Sequence, residues 1–236
     1  MPSSPDNNRK DQSSNVIVGK AGSGVSSTPM RIFLILTVIL LLFLHVGLAF
    51  FSLKDKSPTI DEFAHLPAGA YYLKTGDFSL YGKNPPLVKL WCGWTLLAAG
   101  AEVRGESSFP QAGDWGPWVY GTRFMRDNEA RYHHLFVLGR LPNLVLSICL
   151  GLVVFFWAQA LFDTKGGLIA LLAYAVSPNI LAHARLVTPD LGLSLFFTLS
   201  LFLLWRFLKR PGIGSSVLTG LSLGLTILTK FTGLLL

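Results

Sequence analysis

Two cysteines in 236 residues leave no room for a disulfide framework or a cysteine-based metal site. Cys92 falls in an amphipathic stretch and Cys149 in the middle of an apolar span. Charge is scarce as well: only 14% of residues are Asp, Glu, Lys or Arg, and acids are outnumbered 13 to 20. The resulting net charge of +7 is scattered, with no basic patch interleaved with aromatics, so it argues against a nucleic-acid partner. No glycine fingerprint for a nucleotide is visible. No small-x-small cleavage site follows the first apolar run, so that run reads as an anchor and not a removable leader. These absences argue against a disulfide-stapled scaffold and a nucleic-acid-binding module.

What is abundant is apolar sequence, at 51% of residues. That level suits an integral-membrane chain better than a soluble domain. The Ser-, Gly- and Asn-rich residues 1–30 read as a disordered cytoplasmic tail. Five spans of about 20 residues follow, near 32–53, 138–162, 166–183, 189–208 and 213–236. A loop of about 80 residues (54–137) separates the first two, too long to obey the charge rule for orientation. Short flanks do obey it. Arg31, Lys165, Arg206, Lys209 and Arg210 would lie on the cytoplasmic side, which leaves the long loop and the 183–189 connection outside. The expected fold is therefore an all-α integral-membrane bundle.

Within the long loop, Thr59-x-x-Glu62 is a capping-box pattern that predicts a helix starting near Ile60. Leu87, Leu90, Trp91, Trp94, Leu97 and Ala101 recur at helical spacing, which predicts a second helix lying along the membrane surface. Two surface-parallel helices are thus expected to roof the bundle on its outer side.

Ionisable groups in or beside a membrane are candidates for function. Here they share one side: Asp61, Glu62 and His65 in the loop, Arg140 just inside the second span, and His183, Arg185 and Asp190 around the second outer connection. Lys230 lies about 17 residues into the fifth span, roughly 25 Å along a helix, and so in the same half. Each has a plainer reading. Glu62 could serve only as the capping partner of Thr59, and Asp190 could merely favour a helix start after Thr188-Pro189. Arg140, Arg185 and Lys230 could snorkel to lipid phosphates. His65 and His183 could be interfacial hydrogen-bonders. Asp61, adjacent to Glu62 and one turn from His65, has no such alternative.

The stretches DEFAHLPAGAYYLKTGDF, NPPL, GRLPN, SPNILAHARLVTPD and LTKFT, in that order, resemble the family 39 membrane glycosyltransferases. These include the protein O-mannosyltransferases and the lipid A aminoarabinose transferases, both of GT-C architecture. The resemblance spans about residues 55–236. It implies a multi-pass transferase of a cell membrane, in a bacterium the inner membrane, that takes a sugar from a polyprenyl-phosphate donor on the outer face. The acceptor would be a hydroxyl or phosphate on protein, lipid or glycan. It further implies that Asp61 is the catalytic base, with Glu62 and Asp190 as the other acids of the site. Arg140, Arg185 and Lys230 would meet the donor phosphate, with His65, Lys83, Asn84 and His183 as further candidates. Lys83-Asn84 departs from the acid and lysine that aminoarabinose transferases carry before Pro-Pro. Sugar, acceptor and any divalent metal cofactor stay open. Family members are longer, so the chain reads as the N-terminal portion, with no activity expected of it alone. The rival readings are a lipid or solute transporter or flippase, and a non-catalytic membrane subunit.

Overall fold

A computed structural model describes residues 28–105 and 115–235, and the expected tail over residues 1–27 lies outside them. Among the described residues every regular element is helical. The first helix, α1 (Thr28–Leu53), starts four residues before the expected span, so Thr28, Pro29 and Met30 belong to a helix and not to the tail. Its flank is almost wholly exposed, with Phe43 and Leu40 among the most open apolar side chains. That is the pattern of a helix whose solvent is hydrocarbon.

Among its described residues the outer loop folds into three α-helices where two were expected, α2 (Ile60–Thr75), α3 (Leu87–Ala98) and α4 (Gly116–Asp127), with a 3₁₀ turn at Ser79–Tyr81. α2 begins where the capping pattern places it. The Glu62 carboxylate accepts from the Thr59 backbone N–H at 2.9 Å and from its hydroxyl at 3.2 Å. It does not lie open on a surface, since all residues from Ala64 to Tyr72 are buried. α2 and α3 cross backbone to backbone: a Cβ on Gly69 would sit 1.9 Å from the Lys89 carbonyl oxygen, and one on Gly93 would sit 2.4 Å from the Gly69 carbonyl carbon. α4 escaped detection because its buried set is Gly116, Pro117, Tyr120, Gly121 and Phe124, in which two glycines carry no hydrophobic signal.

α5 (Tyr132–Leu161) begins six residues before the expected 138, because its first turn, Tyr132-His133-His134, is polar but still helical. Pro142 lies inside it, and the Trp91 indole donates to the Pro142 carbonyl at 2.8 Å, stitching α3 to the span. The expected third span is in fact two helices, α6 (Thr164–Ala175) and α7 (Pro178–Ala184), bent by 63°. Ser177 precedes Pro178 and is extended (φ −65°, ψ 119°), the conformation a residue before proline prefers. Breaking a helix inside a membrane frees carbonyls that need partners. His45 Nδ1 meets the Ala175 carbonyl at 3.0 Å, while His45 Nε2, Ser147 and Tyr174 form a buried chain behind it.

α8 (Pro189–Lys209) matches the fourth expected span, and α9 (Ile213–Thr229) stops well short of 236. Lys230 is extended (φ −156°, ψ 138°), and a 3₁₀ turn over Phe231–Leu235 follows. Three helices, α1, α5 and α8, are long and apolar enough to cross a membrane, and the bent α6–α7 pair would make a fourth; α9 is a shorter apolar helix.

Candidate functional site

The most deeply buried charge is the pair Glu62–Arg140, at 0% and 1% side-chain exposure. Arg140 Nε donates to Glu62 Oε1 at 2.8 Å and Nη2 to Oε2 at 2.7 Å. Its other donors go to the carbonyls of Leu53, Lys56 and Ser57 at the end of α1. A guanidinium has five N–H groups, so all are spent inside the protein. Glu62 Oε1 also accepts from the Val187 backbone N–H at 3.1 Å. This node locks the end of α1, the start of α2, α5 and the α7–α8 connection together. The geometry leaves Arg140 no donor for a phosphate and Glu62 no exposed oxygen, so neither sits as a ligand-facing residue.

A second charged group forms where α8 starts and α9 ends. Lys230 Nζ donates to Asp190 Oδ1 at 2.8 Å, and His183 Nδ1 stands 4.0 Å from Asp190 Oδ2. These side chains are a third or more exposed, so they face an accessible space. The break at Lys230 frees its side chain from α9 and sends it to α8. Gly192, one turn into α8, packs against Val88, Thr229 and Leu146, which seats the start of α8 against α3, α9 and α5. Arg185 turns another way, its guanidinium donating to the Ser52 hydroxyl and carbonyl on α1.

Tyr81 links these charges to the roof. Its ring lies 5.0 Å from that of His65. Burial raises the Tyr81 phenol pKa, the hydrogen bond from Asn84 opposes the rise, and the charges of Asp61 and Lys83 act on it in opposite senses. His65 is 5% exposed with its Nδ1 unpartnered. Burial first, then the cations Lys89 and Lys230 against the opposing pull of Asp190, lowers its pKa to about 4. His65 is therefore neutral at neutral pH. Asp61 and Lys83 are exposed.

Lys89 is the residue that sequence reading missed. Placed two residues after the NPPL turn, it looked like one polar position on an amphipathic helix. It is 2% exposed, and its ammonium donates to the carbonyls of Tyr81 (2.9 Å) and Asn84 (2.6 Å) and to the Tyr72 hydroxyl (3.3 Å). It also stands over the Tyr81 ring at 4.3 Å and the Tyr72 ring at 5.1 Å. Burial without a counter-charge lowers its pKa to about 7. The only signal for it was a lysine on the apolar side of α3, between Val88 and Cys92.

Above this clamp, Tyr72, Phe78, Tyr81 and the Pro85-Pro86 turn face Ile227, Leu228 and Phe231 across an apolar groove of about 320 Å³. Leu228 and Phe231 lie two residues before and one after Lys230 in the chain; neither Lys230 nor Asp190 lines the groove itself. Among the described residues no three His, Cys, Asp or Glu side chains gather as metal ligands.

No curated protein and no solved structure matches the chain. Residues 133–236, which carry Arg140, His183, Arg185, Asp190 and Lys230 but not Asp61, match the family model described as dolichyl-phosphate-mannose-protein mannosyltransferase.

Proposed function

We propose that the chain forms the donor-side part of a membrane glycosyltransferase that moves a sugar from a polyprenyl-phosphate donor to an acceptor hydroxyl on the outer face. The observation that carries this reading is the partly exposed Asp190–Lys230 pair, with Leu228 and Phe231, chain neighbours of Lys230, lining an apolar groove. A lipid-linked sugar phosphate has the same polarity: a long apolar chain, then an anion, then a sugar. The prenyl chain takes the groove between Tyr81, Pro86, Leu228 and Phe231, and Lys230 meets the phosphate. Arg185 can swing to it from Ser52. Asp190 holds Lys230 in place and yields as the stronger anion arrives.

The acceptor oxygen attacks the anomeric carbon as the carbon–oxygen bond to phosphate breaks. Asp61 takes the acceptor proton, and polyprenyl phosphate leaves as an anion stabilised by Lys230. One displacement inverts the anomeric centre. Glu62 and Arg140, expected at the chemistry and at the phosphate, receive a different role: they fix α2 against α5 and the α7–α8 connection, which sets where Asp61 stands. The transporter reading gains no comparable support, because no chain of ionisable groups runs between the Asp190–Lys230 pair and the Arg206–Arg210 cations along α8, whose residues 191–205 are all uncharged.

The test is release of labelled polyprenyl phosphate from a polyprenyl-phosphate sugar by the full-length protein in lipid, with and without an acceptor. Acceptor-dependent release is expected. Transbilayer movement of the donor without release would overturn the enzymatic reading.

A further inference from the structure

The end of the molecule remote from Asp190 carries its own charged feature. α8 is 21 residues long, about 30 Å at the helical rise, so Arg206, Lys209 and Arg210 stand a bilayer's thickness away from the proposed site. There α8 and α9 part around a hollow of about 460 Å³. It is lined by Leu203, Leu218, Trp205, Ser215 and the three cations, with no carboxylate among them.

The cations are laid on an aromatic platform. Lys209 Nζ stands 3.9 Å from the Trp205 ring and the Arg206 guanidinium 5.7 Å from the Phe202 ring, and the two rings stack at 6.1 Å. Such contacts hold the charges along the hollow instead of letting them extend into water. The first turn of α9 opens beside them. Its N-cap is Gly212, and the Ser215 hydroxyl donates to the Gly212 carbonyl, so no side-chain oxygen caps the N–H groups there.

A lining that joins cations of one sign to leucines and a tryptophan is complementary to an amphiphilic anion. A soluble phosphate would gain nothing from Leu203 and Leu218, and a zwitterionic lipid would bring its own cation to these three. We propose that this hollow binds an anionic phospholipid of the adjoining leaflet, its phosphate on Arg206, Lys209 and Arg210 and one acyl chain between Leu203 and Leu218. The usual excess of cations at cytoplasmic helix ends accounts for their sign, but not for the hollow or the aromatic platform.

The full-length protein in nanodiscs tests this, using phosphatidylglycerol or phosphatidylcholine brominated on the acyl chain. The readout is quenching of Trp205, isolated as the difference between wild type and Trp205→Phe. Brominated phosphatidylglycerol is expected to quench that component several-fold more than brominated phosphatidylcholine. The advantage should shrink at high salt and vanish in a variant carrying Arg206→Gln, Lys209→Gln and Arg210→Gln. If that variant does not insert, Lys209→Gln alone and the salt series carry the test. Equal quenching by both lipids overturns the proposal, as does quenching by neither, which would mean that protein fills the hollow. Loss of the advantage on adding soluble glycerol phosphate would also overturn it, by making the ligand a free phosphate.

Discussion

Asp61 and Glu62 are neighbours in the chain, and the helix separates their environments. Asp61 points out of α2 and is exposed; Glu62 points in, at 0% exposure against Arg140. Of the two, only Asp61 is open to an incoming hydroxyl; as the proposed base, its replacement Asp61→Asn in the full-length protein should lower turnover at saturating donor by about 10²–10⁴-fold with normal membrane levels. Near-normal turnover would remove it as the base and leave Asp190 as the next carboxylate to examine. Two other residues give a pH signature. His65 and Lys89 both titrate below their ordinary values, near 4 and 7, because burial disfavours their charged forms. Between 4 and 6.5 for His65, and between 7 and 10.5 for Lys89, the unfolded chain therefore binds more protons than the folded one. Stability rises with pH in both windows and falls on acidification through them. Thermal unfolding in detergent across those ranges should show these slopes. Lys89→Met should flatten the upper one, and an unchanged slope would show that Lys89 is solvated in the folded protein.

At the scale of elements, the roof depends on α2 and α3 crossing at two glycines. Gly93→Ala would push a methyl into the Gly69 backbone at 2.4 Å, where no flexible side chain can yield. Overpacking of this kind costs about 1–3 kcal/mol, so the variant should unfold at a clearly lower temperature in detergent. Gly47→Ala on α1, with open space around it, is the control and should be neutral. Equal melting of the two variants would show that the crossing is looser than drawn. Elements also show why helix ends were harder to read than helix interiors. The start of α2 was visible because a capping box is written in four adjacent residues. The breaks at Ser177 and Lys230 were harder: Pro178 was in plain view, yet hydropathy carried straight through it. At Lys230 the reason to leave the helix lies forty residues upstream, at Asp190.

At the scale of the molecule, the Asp190–Lys230 pair lies at the start of α8 and the cations Arg206, Lys209 and Arg210 at its end, which yields a prediction of orientation. In a background without native cysteines, a cysteine at Thr122 in α4 should react with an impermeant thiol reagent added to intact cells, and one at Ser216 in α9 should not. The reverse labelling would invert the bundle and put the site on the cytoplasmic face.

Much of the architecture could be read from the chain alone, because membrane-spanning segments are a local property. Some twenty apolar residues in a row must bury their backbone polar groups in a helix, whatever else the protein does. Composition, the apolar runs of α1, α5 and α8, the α2 start and the α3 stripe are all of that kind. Only the tertiary structure decided how those charges are used. Glu62 and Arg140 lie 78 residues apart, and nothing near either shows that each neutralises the other and so withdraws from the exposed site. Asp190 and Lys230 are 40 residues apart, and their ion pair exists only once α8 and α9 are packed. Lys89 became a buried cation because the turn above it folds back to offer two carbonyls. Partner choice is non-local: a charge's role depends on which opposite charge or carbonyl folding brings to it, and a sequence window contains only one of the two.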